Sequence, residues 1–120
     1  KLELIKIDWI SFVSPEISSG LPRDINRIFL GTVYEEVENG EMLFLKAKSL
    51  MHSNDIYIPH PRGKLDSHFE QICRLSLPAE SLIAWYSKKR KIELFHFNSS
   101  AALIFEHDPR VKCIDLSVKD

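Results

Sequence analysis

Three histidines stand at regular intervals in residues 52–68, HSNDIYIPHPRGKLDSH. His52, His60 and His68 are eight positions apart, and Arg62 follows the middle one. Three imidazoles bind zinc when they converge, but seven-residue gaps match no compact ligand spacing and no cysteine or carboxylate stands at a diagnostic offset. The sequence therefore predicts no metal site, because isolated histidines are commonly surface or partly buried residues with ordinary partners.

A second chemistry needs only two of these histidines. Metal-independent cleavage of RNA requires a base for the 2′-hydroxyl, an acid for the leaving oxygen and a cation beside the developing phosphorane charge. His60, His68 and Arg62 provide these groups, and His96 is a further candidate. Any domain with five histidines and sixteen basic residues contains such a set on paper. A ribonuclease is therefore the alternative hypothesis, and a non-catalytic protein is favoured.

A run of four cations, KKRK, follows Trp85 and Tyr86. Cations attract phosphate and an exposed aromatic ring stacks on a base, so an RNA-binding module would hold nucleic acid here. Four charges alone give only salt-sensitive, non-specific binding, and a solvated turn is the simpler interpretation. The residues of this alternative nucleic-acid site are Lys88, Lys89, Arg90 and Lys91.

Four glutamates within seven residues mark the stretch TVYEEVENGEMLFLKAK. They repel one another, and a partner with a basic surface would relieve that repulsion and be steered toward them. The neighbouring tyrosine offers an aromatic anchor. The predicted partner-binding residues are Tyr34, Glu35, Glu36, Glu38 and Glu41.

Two β-hairpins are predicted to carry these charged clusters. Asn39-Gly40 between two alternating apolar arms is typical of a tight hairpin, because both turn residues must tolerate positive φ. A second hairpin is predicted from SLIAWYS and IELFHF, joined by residues 88–91. The first hairpin would have an acidic tip and the second a basic tip.

Further strands and helices complete the predicted fold. Pro22 suits a first helical turn, and Ile25, Ile28 and Phe29 share a helical face. Strands are predicted at residues 2–10, 55–58 and 111–118, and helices at 22–30, from 66 or 67, and at 101–107 after a cap at 98–100. The predicted class is α+β: an antiparallel or mixed sheet of two hairpins plus N- and C-terminal strands, with two to three short helices packed on it.

Length, composition and charge limit the classes of protein to which this chain can belong. The 120 residues are 44% apolar and 28% charged, as in a globular protein, and no repeat or linker divides them, so we expect one domain over 1–120. A first residue other than methionine, Lys1, also fits a domain excised from a longer chain. The net charge of −1 is unlike that of a duplex-DNA binder. No membrane span or signal peptide is found, and the default expectation is a cytoplasmic protein.

Cofactor chemistry has no motif in this chain. There is no phosphate-binding P-loop, glycine-rich dinucleotide turn, nucleophile elbow, HExxH or paired CxxC. Cys73 and Cys113 lie in apolar surroundings and are expected to be reduced, buried thiols. No cofactor is predicted. The preferred function is a small non-catalytic protein-interaction domain, of the immunity or inhibitor type, that binds a basic protein through the acidic hairpin.

Overall fold

A four-stranded, all-parallel sheet forms the centre of the computed structural model, which describes residues 8–60 and 77–117. The strands lie in the order β2-β1-β3-β4. Their bounds are β1 Arg27–Leu30, β2 Ile56–Ile58, β3 Ile92–His96 and β4 Val111–Asp115.

Helices connect the strands. They are α1 Pro15–Ser19, α2 Gly40–Leu50, α3 Ala79–Ser87 and α4 Ser100–Phe105, with short 3₁₀ turns at Trp9–Phe12 and Tyr34–Glu36. Helix α2 links β1 to β2, and α4 links β3 to β4. Parallel neighbours require such crossover connections, because a tight turn joins only antiparallel strands.

One face of the sheet is covered by α3 and α4. Ile28 of β1 stands in register with Ile56 of β2 and Leu94 of β3, and all three are at most 2% exposed. Leu82 and Ile83 of α3 belong to the same buried cluster. Each such side chain contributes roughly 1.5–3 kcal/mol through burial. Among the described residues, this face buries more side chains than the opposite face, so it is the larger part of the core.

The opposite face is aromatic and is covered by α2. Phe29 and Phe95 stack with ring centroids 4.5 Å apart and planes 8° from parallel. Phe44 and Ala47 of α2 pack with them in the second buried cluster, together with Tyr57. Alternate residues of β1 therefore enter different cores, as expected for a strand between two helical layers.

The predicted α+β class with an antiparallel or mixed sheet is wrong, because the fold is α/β with only parallel strands. SLIAWYS, taken as one arm of the second hairpin, belongs to α3 instead. Its buried residues Leu82, Ile83 and Tyr86 also form a helical stripe. A seven-residue apolar run cannot distinguish these two possibilities by its period. IELFH is a strand, β3, as expected.

The predicted acidic hairpin is also wrong. Asn39 has the left-handed backbone that a turn needs, with φ 59°, but the chain then enters α2 instead of a returning strand. Gly40 is required there for a different reason. A Cβ atom on it would overlap the carbonyl oxygen of Tyr34 in the preceding 3₁₀ turn. The Asn-Gly pair therefore permits close packing between a turn and a helix start.

The predicted helix at residues 22–30 is replaced by a loop and strand β1, in which Ile28 and Phe29 face opposite cores. The end of the predicted first strand is also wrong, because Trp9–Phe12 is a 3₁₀ turn. Three predictions are confirmed with small shifts of boundary: β2, α4 with its serine cap, and β4. Residues 2–7 and the predicted helix from residue 66 or 67 lie outside the described residues.

Candidate ligand cleft at the carboxyl edge of the sheet

The carboxyl ends of all four strands meet at one edge of the sheet. From β1 the chain passes to β2 on one side, whereas β3 and β4 lie on the other side. The strand order therefore reverses between β1 and β3. Open parallel sheets bind their ligands outside the carboxyl ends of the strands at such a point.

A cleft of about 680 Å³ lies at this edge. We call it the carboxyl-edge cleft. One wall comes from the start of α2, and the other from the segments that follow β1, β3 and β4. Its volume is within the range of small-molecule sites, roughly 300–1,000 Å³. The lining residues are Thr32, Val37, Glu38, Asn39, Met42, Leu43, Lys46, Phe97, Asn98, Leu116 and Ser117.

Lys46 is the cation in this lining. Its Nζ donates a hydrogen bond to the carbonyl oxygen of Leu116 at 3.2 Å, which joins α2 to the segment after β4. An ammonium group has three donors, and this bond uses one. Thr32 and Asn98 add a hydroxyl and an amide to the same cleft. The set suits a ligand that carries negative charge and accepts hydrogen bonds.

Asp115 fixes the two segments that form one wall. Its Oδ1 accepts hydrogen bonds from the backbone N–H of Asn98 at 3.1 Å and from the N–H and hydroxyl of Ser117 at 2.9 and 2.6 Å. Partial burial alone would raise the pKa of this carboxyl. The hydrogen bonds from Ser117 and Asn98, together with nearby His96, outweigh burial and lower the pKa of Asp115. It is therefore ionised at neutral pH.

His96 holds the start of the β3–α4 connection. The ring is 8% exposed, and its Nδ1 accepts a hydrogen bond from the backbone N–H of Ser99 at 3.1 Å. Burial lowers the pKa of His96, opposed in part by the charge of Asp115, so the ring is neutral at pH 7 with its proton on Nε2. Asn98 between them has a left-handed backbone, with φ 49°. These bonds set the shape of the cleft before a ligand enters.

The described histidines of the alternative acid–base set, and of the zinc site that the spacing argued against, do not gather at one point. His52 precedes β2 and His60 follows it, so they lie at opposite edges of the sheet. His52 Nδ1 is 2.8 Å from Nη1 of Arg27. His60 and His96 share the carboxyl edge, but β1 lies between their strands, a separation of roughly 10 Å. In residues 8–60 and 77–117, no three His, Cys, Asp or Glu side chains form a metal-binding group.

The KKRK run lies at the other edge of the sheet. Residues 88–91 join α3 to the amino end of β3, whereas His60 follows the carboxyl end of β2. The structure thus places His60 and the KKRK run, the two sites that the alternative RNA hypothesis used, at opposite edges of the sheet. Arg62 and His68, the other members of that hypothetical site, lie outside the described residues.

The predicted partner-binding glutamates lie on the 3₁₀ turn and around the start of α2. Glu35, Glu36, Glu38 and Glu41 are all exposed. Tyr34 is 2% exposed, and its hydroxyl is 2.8 Å from that of Tyr57. The ring of Tyr34 therefore lies in the core beneath these glutamates rather than on the surface with them.

Cys113 of β4 is a free, half-buried thiol that donates to the carbonyl oxygen of Ala102 at 3.7 Å. Burial first, and then the charges of Glu106 and Asp108, raise the pKa of Cys113. The thiol is therefore protonated at neutral pH and a poor nucleophile. Cys73 lies outside the described residues.

Apart from Glu38, the sequence did not point to the polar residues that line the carboxyl-edge cleft. Thr32, Asn98 and Ser117 each stand two residues after the end of an apolar strand. That position was the available signal, but it has meaning only once the strands are known to be parallel. Lys46 carries no local signal, because a lysine on a helix is ordinarily solvated.

No protein-family model, curated protein or solved structure gives a significant match to this chain. The geometry of the clefts and surfaces is therefore the basis for assigning function. Within the two described stretches, no helix has the length and apolar character needed to cross a lipid bilayer.

Proposed function

We propose that this chain is a ligand-binding α/β domain that holds a small organic anion in the carboxyl-edge cleft. The observation that carries the proposal is the position of the cleft, where the strand order reverses, with Lys46 in its wall. The strand ends converge there, so side chains that are distant in sequence are available to one ligand.

The charge distribution in the cleft gives the ligand an orientation. Glu38 lies just before α2, and Lys46 is nearly two turns farther along the helix, roughly 9 Å from its first residue. An anionic group is repelled at the glutamate end and attracted at the lysine end. The charged part of the ligand therefore lies beside Lys46, near the carbonyl oxygen of Leu116.

The remaining walls suit the uncharged part of such a ligand. Leu43 and Phe97 supply apolar surface, and Thr32 and Asn98 supply hydrogen-bonding groups. Specific small-molecule sites commonly combine a largely apolar lining with a few placed polar groups. The hydrogen bonds of Asp115 and His96 hold these groups in position, which reduces the entropy cost of binding.

The test compares charged and uncharged probes of the same shape. Adenosine 5′-monophosphate, glucose 6-phosphate and 2-oxoglutarate are titrated into ¹⁵N-labelled protein, with adenosine and glucose as uncharged controls. We expect at least one anion to shift the amide resonances of Thr32, Asn98 and Ser117, and adenosine and glucose to bind much more weakly than that anion. No shift with any of the three anions would contradict the proposal.

Lys46→Met removes the cation and keeps the aliphatic stem. A hydrogen bond to a charged group contributes roughly 1.5–3 kcal/mol, so the anion should bind at least tenfold more weakly. Lys48→Met is the matched control, because Lys48 is an exposed lysine on the same helix. Equal weakening in both variants would show that the anion responds to overall charge and not to the cleft.

A second candidate function is supported by the surface of α2. Met42 is 70% exposed and Leu45 is 55% exposed, close to Glu38 and Glu41 in the chain. Exposed apolar side chains beside acidic ones suit a protein partner with a basic surface. This candidate is the interaction domain of immunity or inhibitor type expected from the sequence, with the acidic surface carried by a helix start.

Charge reversal tests this second candidate. Glu38→Lys/Glu41→Lys should abolish capture of a basic protein that the wild-type chain retains at low salt. Glu16→Lys/Glu106→Lys makes the same change of net charge at exposed positions elsewhere and should leave capture intact. If both double variants still capture the protein, the acidic surface has no part in binding it.

A further inference from the structure

A second cleft, of about 550 Å³, lies near the amino end of β3. We call it the amino-edge cleft. It lies between the segment that precedes β1 and the connection from α3 to β3. Four cations line it, with one carboxylate and one indole: Arg23, Lys88, Lys89, Arg90, Asp24 and Trp85.

The two walls of this cleft are fastened in place. The hydroxyl of Tyr86 donates to the carbonyl oxygen of Pro22 at 2.7 Å, which ties α3 to the segment before β1. Nη1 of Arg110 donates to the carbonyl oxygens of Ser87 and Lys88 at 3.2 and 2.7 Å. That guanidinium satisfies carbonyls at the end of α3 and holds the start of the KKRK connection. The backbone segments that carry the cations are therefore held in fixed positions.

The ion pair that the described residues form with these cations is weak. Arg90 lies 3.6 Å from Asp24, but the side chain of Asp24 is 90% exposed. An exposed ion pair of this kind is screened by water and salt and contributes little to stability. An entering anion can therefore compete for Arg90, and among the described lining residues Asp24 is the carboxylate that opposes it.

We propose that the amino-edge cleft binds phosphate groups, with the indole of Trp85 as an apolar wall for the rest of the ligand. Converging arginines and lysines suit phosphate, because a guanidinium donates two parallel hydrogen bonds and an ammonium adds a point charge. Trp85 is half-buried, and its ring packs edge-on against that of Tyr86 with the ring centroids 4.9 Å apart. The position of the indole is therefore defined. The phosphate belongs either to a soluble oligophosphate or to a lipid headgroup.

This site is independent of the proposed carboxyl-edge site, since the two clefts share no lining residue and adjoin opposite ends of β3. Failure of one proposal therefore leaves the other standing. The sequence predicted only weak, non-specific attraction of the KKRK run to phosphate, with Trp85 beside it. The tertiary structure adds Arg23 and a concave shape.

The first measurement is calorimetric titration of the whole 120-residue chain with sodium pyrophosphate at 50 and 300 mM NaCl, beside co-sedimentation with vesicles containing 10% phosphatidylinositol 4-phosphate. We expect binding at low salt that weakens at high salt. An NMR spectrum recorded with and without pyrophosphate should also show a shift of the Trp85 indole resonance. Pyrophosphate binding assigns a soluble ligand, and vesicle binding alone assigns a lipid headgroup. Failure of both probes at low salt would overturn the proposal.

Matched variants separate a site from general charge attraction. Lys88→Glu/Lys89→Glu should weaken binding at least tenfold, whereas Lys48→Glu/Lys112→Glu makes the same charge change at exposed positions elsewhere and should alter it less than twofold. Lys88→Gln/Lys89→Gln serves if the charge-reversed variant does not fold. Equal weakening by the cleft and control variants would overturn the proposal.

Asp24→Asn provides a test by gain of affinity. Asp24 has a left-handed backbone, with φ 61°, which asparagine adopts readily, so the substitution removes the charge without straining the turn. We expect pyrophosphate or the vesicle headgroup to bind threefold to tenfold more tightly. An unchanged or weaker affinity would contradict the role given to this carboxylate and with it the proposed placement of the phosphate.

Discussion

At the scale of single residues, Gly40 belongs to an Asn-Gly pair that is typical of a hairpin turn, but here close packing requires the glycine. Its missing side chain allows the carbonyl of Tyr34 to approach the start of α2. Gly40 is buried and its φ is not positive, so close approach, rather than a left-handed backbone, is the constraint.

Gly40→Ala should therefore lower the free energy of unfolding by roughly 2–4 kcal/mol, since either the turn or the helix start must shift. Gly20→Ala is the matched control, because its Cβ would meet only the Ile17 carbonyl oxygen at 3.7 Å and its φ is −93°. We expect the control to be neutral or slightly stabilising. Urea unfolding measures both, and equal losses would contradict the overlap argument.

His96 makes stability depend on pH. Its pKa is lowered in the folded protein by burial, while the unfolded chain has the ordinary value of about 6.5. As the pH falls below that value, the unfolded state binds a proton before the folded state does, so stability falls. Asp115 adds a further loss only at lower pH, below about 4, because its folded pKa is lowered from the ordinary carboxyl range.

The midpoint of thermal unfolding should therefore fall between pH 7 and 5 in the wild type. His96→Asn keeps an acceptor for the N–H of Ser99 but does not titrate, so its midpoint should change less across that interval. His107→Asn, at an exposed position, is the control and should follow the wild type. Parallel curves for wild type and His96→Asn would show that other groups cause the dependence.

At the scale of elements, Arg27 fastens the α2–β2 connection to the sheet. It begins β1, and its guanidinium carbon lies 4.8 Å from the centroid of the Phe95 ring. Nη2 donates to the carbonyl oxygen of Leu50 at 2.9 Å, and Nη1 is 3.5 Å from the buried carboxylate of Asp55. One side chain thus joins the end of α2, the start of β2 and the aromatic core.

Arg27→Met keeps much of the side-chain volume but leaves Asp55 buried without its cation. Removing one member of a buried pair typically costs about 3–5 kcal/mol, and we expect a loss of unfolding free energy in this range. Arg27→Lys should lose less, since the charge stays but the forked geometry does not. Arg23→Met changes an exposed arginine four positions earlier and should hardly alter the free energy of unfolding. A loss similar to that of Arg27→Met would contradict the role given to Arg27.

At the scale of the whole molecule, strand order decides which residues meet. Strands β1 and β3 are central, whereas β2 and β4 have one neighbour each within the described sheet. Central strands bond on both sides and open only in larger unfolding events, so their amides exchange most slowly.

Hydrogen exchange followed by ¹⁵N NMR should therefore show the greatest protection at Ile28, Phe29, Leu94 and Phe95. Successive amides after the first turn of α3 should be protected together, because every residue of a helix donates to the preceding turn. Protection that alternates between neighbouring residues of SLIAWYS would instead indicate an edge strand and contradict α3.

The sequence by itself determined several local features. The left-handed backbone at Asn39, the serine cap of α4 and the end of β2 before Pro59 follow from side chains acting on their own or adjacent backbone. These features depend on contacts between residues within a few positions of each other, which the order of residues specifies directly.

Only the tertiary structure decided that the strands are parallel and which polar residues share a cleft. Ile28 pairs with Ile56 and Leu94, at separations of 28 and 66 residues, and no local pattern encodes such a choice. A short apolar run is stable as a helix or a strand according to what it packs against. For the same reason Lys46 and Asn98, 52 positions apart, became neighbours in one cleft only when parallel pairing brought the strand ends to one edge.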